Sequence, residues 1–250
     1  VLTEVNSNDL VTDGSKWYTN PLLTVDDPLA TFTVDLQNVS GYNSELPGDD
    51  GIINLYNQAN GSEIDEQNTD SRGEANFDNL NPSLTYFLDA WHNPPSSETL
   101  FGKEYWGTKR NINLSVGSNV IDVVRNTPFI ESVEIYNSSG AKITGGSIEL
   151  GESVVVKVIM RNPLSSTGAV ARKVKGWVML DRDKTGTFDL SEKINNYSTV
   201  NTGTTVTQQF TYTPTADGDY YGAGGVLTEV NSNDLVTDGS KWYTNPLLTV

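Results

Sequence analysis

Twelve consecutive residues carry the clearest chemistry in this chain. Asp181, Asp183, Thr185, Gly186, Asp189 and Glu192 fall at positions 1, 3, 5, 6, 9 and 12 of the EF-hand calcium loop. Calcium is a hard cation that takes about 6–8 oxygens. The run offers the carboxylates of Asp181, Asp183 and Asp189, the Thr185 hydroxyl, the Thr187 carbonyl and a bidentate Glu192. Gly186 supplies the sharp turn. The flank Val174 to Leu180 alternates like a strand, so the loop is expected at the tip of a β-hairpin. A structural calcium is then expected, because the sensor mechanism needs a helix pair to open. The bland alternative is an acidic turn without metal, with Arg182 and Lys184 neutralising part of its charge.

Catalysis has little to work with. His92 is the only histidine, at a strand end entering Asn93-Pro94-Pro95, and no Gly-x-Ser-x-Gly elbow accompanies it. A structural histidine and no enzyme are expected. Gly222-Ala223-Gly224-Gly225 lacks the crossover helix of a dinucleotide fingerprint. Trp91, Tyr105 and Trp106 could stack on a sugar, although packing against the core or another domain is the plainer expectation. The basic alternation Arg172, Lys173, Lys175 could meet an acidic neighbour, or be a solvated strand face.

The elements that must position these residues are strands. Ala30, Phe32, Val34 and Leu36 share one face of a period-2 pattern, which returns in Leu84 to Ala90, Val154 to Met160 and Val206 to Tyr212. No stretch carries a convincing helical stripe, and turn residues recur at intervals of about 8–12 residues. The fold class is all-β, two sandwiches in series. The main boundary is expected at Arg125-Asn126-Thr127-Pro128 and a second seam at Asp26-Asp27-Pro28.

One feature stands outside any single domain. Residues 1–25, VLTEVNSNDLVTDGSKWYTNPLLTV, recur unchanged as 226–250. The 225-residue offset is far too long for a solenoid repeat and suits a two-domain module. Three accounts stay open: 1–25 is the tail of a preceding repeat, it is a strand exchanged between subunits, or the duplication has no biological content. The division is therefore 1–25, a terminal strand segment; 26–127, a first sandwich; and 128–250, a second. The C-terminal copy is expected to close that second sandwich, with strands at Val226 to Val230 and Pro246 to Val250 around turns at Asn231 to Asp234 and Thr237-Asp238-Gly239.

Lys plus Arg number 16 against 32 Asp plus Glu, a net charge of -16, which argues against nucleic acid or anionic membrane as partners. Cysteine is absent, excluding disulfides and thiolate metal sites. No apolar run approaches a membrane span. Five Asn-x-Ser sequons, at Asn38, Asn60, Asn113, Asn137 and Asn196, tilt the localisation toward the cell surface as glycosylation sites.

Within 26–127, Thr69-Asp70-Ser71-Arg72-Gly73 leads into Phe77-Asp78-Asn79-Leu80-Asn81-Pro82 and a Tyr86 strand. This resembles prealbumin-like surface domains such as the B-type repeats of collagen adhesins. Some members form a Lys-Asn isopeptide bond, but 26–102 holds no lysine. Residues 128–250, through Gly151 to Asn162, Val206 to Pro214 and Gly218-Asp219-Tyr220-Tyr221, resemble the prokaryotic cell-adhesion-related immunoglobulin-like domain. The resemblance implies a tandem-repeat module of an archaeal or bacterial surface protein. The expected function is a structural subunit of an extracellular filament, sheath or adhesin stalk, calcium-braced and joined to copies of itself. The alternative is an adhesin module binding glycan or protein.

Overall fold

The computed structural model describes residues 29–39, 50–94, 102–185, 188–194, 196–242 and 245–250. Apart from one 3-10 turn at Ser165–Thr167, the regular elements among them are strands.

The first domain is built from β1 (Ala30–Gln37), β2 (Gly51–Asn57), β3 (Glu63–Asn68), β4 (Glu74–Leu80), β5 (Thr85–His92), β6 (Glu104–Asn113) and β7 (Gly117–Val124). Two sheets form, ordered β4-β1-β7 and β3-β2-β5-β6. Alternation dictates the packing: Ala30, Phe32, Val34 and Leu36 point into the core, where they meet Ile53, Leu55, Phe77, Leu88 and Trp106. β1 pairs antiparallel with β4 and parallel with β7, from Ala30↔Gly117 to Gln37↔Val124.

The second domain follows after four residues, with β8 (Phe129–Tyr136), β9 (Gly146–Ser147), β10 (Val154–Arg161), β11 (Arg172–Arg182), β12 (Phe188–Lys193), β13 (Ser198–Val200), β14 (Thr205–Tyr212), β15 (Asp219–Val230), β16 (Asn233–Trp242) and β17 (Leu248–Thr249). A sheet ordered β14-β10-β8 faces one ordered β12-β11-β15-β17-β9, with β13 on β11 and β16 on β15. Val154, Val156, Val158 and Met160 fill the space between, with Val174, Val178, Leu180 and Tyr220 from the facing sheet. The sheets approach closely at Gly224, where an added Cβ would lie 2.3 Å from Ile130 Cδ1.

The described residues of the C-terminal copy of the repeated segment, 226–242 and 245–250, are part of this sandwich. Its first residues extend β15 along β11, from Val226↔Gly176 to Thr228↔Val174. Asn231 and Ser232, at φ 49° and 67°, make the tight turn into β16. One expectation needs correction here. Thr237-Asp238-Gly239 is not a turn but the middle of β16, and register shifts opposite Val226 bend the strand at that point. The bend turns the three residues toward the first domain.

Candidate functional site: the junction between the sandwiches

Three segments converge where the domains meet: the start of β6, the link Arg125–Pro128 between β7 and β8, and the middle of β16. Glu104 opens β6 and is only 2% exposed. Its Oε1 accepts a hydrogen bond from the Gly239 backbone N–H (2.9 Å) and its Oε2 one from Trp106 Nε1 (3.2 Å). His92 Nδ1 lies 3.3 Å from the same Oε2, with its ring tilted against Trp106 at 5.0 Å. A buried carboxylate is tolerated only where such donors replace water.

Arg125, 5% exposed, answers from the other side. Its guanidinium donates to the Thr237 carbonyl, stands 4.0 Å from Asp238 Oδ2, and lies between the rings of Trp106 and Phe129 at 5.2 and 5.3 Å. Asp238 Oδ2 accepts from Ile130 N–H (2.6 Å), and Thr237 Oγ1 donates to the Pro128 carbonyl (2.7 Å) while pairing with Thr228 Oγ1. The link itself is tied down. Asn126 donates from Nδ2 to Thr108 O and from its backbone to Trp106 O, and Thr127 Oγ1 donates to Tyr105 O. Burial, reinforced by the Asp89 carboxylate that accepts its hydroxyl, holds the Tyr105 phenol well above its ordinary pKa.

The chemistry of this arrangement is adhesion between domains. Trp106 and Tyr105 are packed inward at the joint, and Trp91, half-buried, carries Lys103 over its ring at 4.8 Å. Sequence reasoning named Arg125 only as a boundary and missed Glu104. A charged residue beside two aromatics at a strand start, with the identical repeat supplying its partner, is the signal that could have found it.

The predicted calcium ligands lie at the opposite end of the second domain. Asp181, Asp183, Thr185 and Asp189 come together in the β11–β12 hairpin, where Leu180 pairs with Leu190. Each of these carboxylates accepts a backbone hydrogen bond, two within the hairpin and one from β15. Asp181 Oδ1 accepts from Thr185 N (2.9 Å) and Oγ1 (3.1 Å), Asp183 Oδ1 from Asp219 N (3.0 Å), and Asp189 Oδ2 from Arg182 N (2.9 Å). Among the described residues no three acidic or histidine side chains form a metal-binding group. Thr187 and the side chain of Glu192 lie outside the described residues. The described donors alone therefore do not make a calcium cage.

Of the sequon asparagines, Asn60, Asn113 and Asn196 are exposed, and Asn38 and Asn137 half-buried. Asn60 Oδ1 accepts from the Ser62 backbone and hydroxyl, and Asn137 Oδ1 from Ser139 Oγ, which are turn bonds of the Asx type. The basic alternation meets acid within the chain: Lys173 pairs with Glu229 (3.0 Å) and Lys175 with Asp234 (3.2 Å). A cleft of about 530 Å³ beside the joint is lined by Lys109, Arg110 and Arg172 among others. There Lys109 Nζ is held by the Asp122 carbonyl and Arg110 covers the Phe87 ring. No helix among the described residues is long and apolar enough to cross a membrane.

No family model matches this sequence, and no curated protein does. Solved structures share its arrangement loosely. A DUF3823 family protein from Bacteroides ovatus is 15% identical with a TM-score of 0.34, covering 89% of this chain and 99% of its own. The major pilin SpaD from Corynebacterium diphtheriae is 9% identical with a TM-score of 0.42, covering 86% and 66%. BcpA, the major pilin subunit of Bacillus cereus, is 13% identical with a TM-score of 0.36, covering 88% and 69%.

Proposed function

We propose that this chain is a structural repeat unit of an extracellular filament, sheath or adhesin stalk, with units joined end to end. The observation that carries it is the joint of Glu104, Arg125, Thr237 and Asp238, whose hydrogen bonds tie the two sandwiches together and support a stiff unit. The buried Glu104 and Arg125 are engaged in an interdomain contact, which supports a structural role. The net charge of -16 suits a solvated surface assembly, and the exposed sequons Asn60, Asn113 and Asn196 suit export.

Calcium binding at 181–192 is part of this proposal, supported by the loop spacing and by the placement of Asp181, Asp183 and Asp189 in one hairpin. Small-angle scattering on the whole chain tests the mechanical core of the proposal. A rod of fixed length, unchanged by salt, is expected. A compact or hinge-averaged profile would remove the idea of a stiff unit, and specific glycan binding or hydrolytic activity would move the protein into another class.

A further inference from the structure

Residues 226–250 are held by contacts spread across the second domain. Val226, Thr228, Thr237, Leu247 and Leu248 are each at most 2% exposed. Glu229 and Asp234 pair with Lys173 and Lys175. At the far end, Leu248 and Thr249 pair with Gly146 and Ser147 in parallel and with Tyr220 and Asp219 in antiparallel, and Val250 exchanges both backbone bonds with Gly218. Residues 1–25 have the same side chains in the same order, so Val1, Thr3, Thr12, Leu22 and Leu23 present what that groove buries. A surface that accepts one copy finds the same side chains, in the same order, in the other.

The chain's own geometry decides whose groove residues 1–25 can enter. β1 and β7 run side by side toward the joint, where Arg125 N–H meets the Gln37 carbonyl, so Ala30 lies at the end of the first domain remote from the second. Val250 lies at the remote end of the second domain, beside Gly218. At about 3.3 Å per strand residue, β1 leads from the joint to Ala30 over about 23 Å, and the stretch of β15 from Val226 to Asp219 leads toward Val250 over about the same length. Four residues separate Val25 from Ala30, a reach of about 17 Å even when extended. A link of that reach, together with a groove already filled by residues 226–250 of the same chain, favours the groove of another copy.

We infer that residues 1–25 of one copy dock into the second domain of another copy of this chain, in place of that copy's residues 226–250. The inference deepens the end-to-end reading above and rests on it, because the docked segment brings the remote ends of two units together. A covalent tandem array and a strand-exchanged one then have the same geometry. In an isolated chain, residues 226–250 compete with a tether advantage equivalent to roughly millimolar effective concentration.

The test uses the full chain, which has no native cysteine to interfere. Thr24 corresponds to Thr249, which pairs with Ser147. The variant Ser147→Cys with Thr24→Cys, oxidised after refolding at increasing concentration, should give covalent dimers and longer ladders, half-converted near ~1 mM. The control Ser147→Cys with Thr249→Cys should close within one chain, showing that the pair can be bridged. Adding Leu248→Asp to the first variant should lower the half-conversion concentration at least about tenfold, by weakening the competing segment. Free thiols or a bond closed inside one chain, while the control closes, would overturn the inference. A missing ladder with a rod-like scattering profile removes strand exchange alone; a compact profile removes the stiff unit as well.

Discussion

Replacing Glu104 by Gln isolates the joint with a change of one atom. Its two oxygens accept from opposite sides, Oε1 from the Gly239 backbone and Oε2 from the Trp106 indole, and both donors are fixed. An amide has one oxygen and one NH2, so in either orientation a donor faces a donor at a site 2% exposed. One charge-assisted bond is lost and one buried N–H is left without an acceptor, a cost of about 2–4 kcal/mol. For a chain of this size about 3 kcal/mol lowers the thermal midpoint by roughly 6–12 °C. Calorimetry on the parent and the variant measures it, and amide exchange at Gly239 should accelerate, since its acceptor is weakened. A midpoint within about 1 °C of the parent, with Gly239 still protected, would refute the claim that this carboxylate holds the domains together.

Calcium separates two accounts of the 181–192 hairpin. If the ion binds at an extracellular affinity near ~1 mM, 10 mM calcium stabilises the second domain by about 1.4 kcal/mol, and an identical midpoint with calcium and with chelator would dismiss it. Asp181→Ala should destabilise in either case, because its Oδ1 holds both the backbone and the hydroxyl of Thr185. Gly107→Ala should cost about 3 kcal/mol or more by urea melts, since Gly107 sits at φ 134° and its new Cβ would fall 1.8 Å from Asn126 Oδ1; a neutral result would mean the link is looser than described. The Lys142 ammonium, then the Tyr136 hydroxyl, hold the Glu134 pKa below its ordinary 4.5. A depressed carboxylate contributes stability above its unfolded pKa and loses it as pH falls through the folded value, so Lys142→Met should flatten acid unfolding below about pH 4.5. An unchanged acid limb would count against the pair.

Strands that bury one face were legible because alternation is a local signal. Val154, Val156, Val158 and Met160 read as a core face and are each at most 1% exposed. β3 was not legible: Glu63–Asn68 is a polar edge strand whose existence depends on pairing with β2 rather than on its own pattern. The parallel pairing of β1 with β7 was equally invisible, since it joins segments more than 80 residues apart. Thr237-Asp238-Gly239 has turn composition, yet Pro128 of the link, Ile130 of β8 and Glu104 of the first domain supply the partners that turn residues usually find in water or in their own backbone. The junction therefore escaped a reading confined to one domain at a time. Glu104 and Arg125 only acquire meaning once β6, the link and β16, far apart in sequence, are brought together.

The parallel pair of β1 and β7 carries a mechanical consequence. Tension along a string of such units would enter the first domain before Ala30 and leave it after Val124, at opposite ends of two strands that run the same way. The eight paired positions from Ala30↔Gly117 to Gln37↔Val124 would then be loaded in shear, all at once, rather than peeled open one at a time. A ladder strained that way gives little until many bonds fail together. The topology thus sets a direction along which this domain resists extension, independent of how its neighbours are attached.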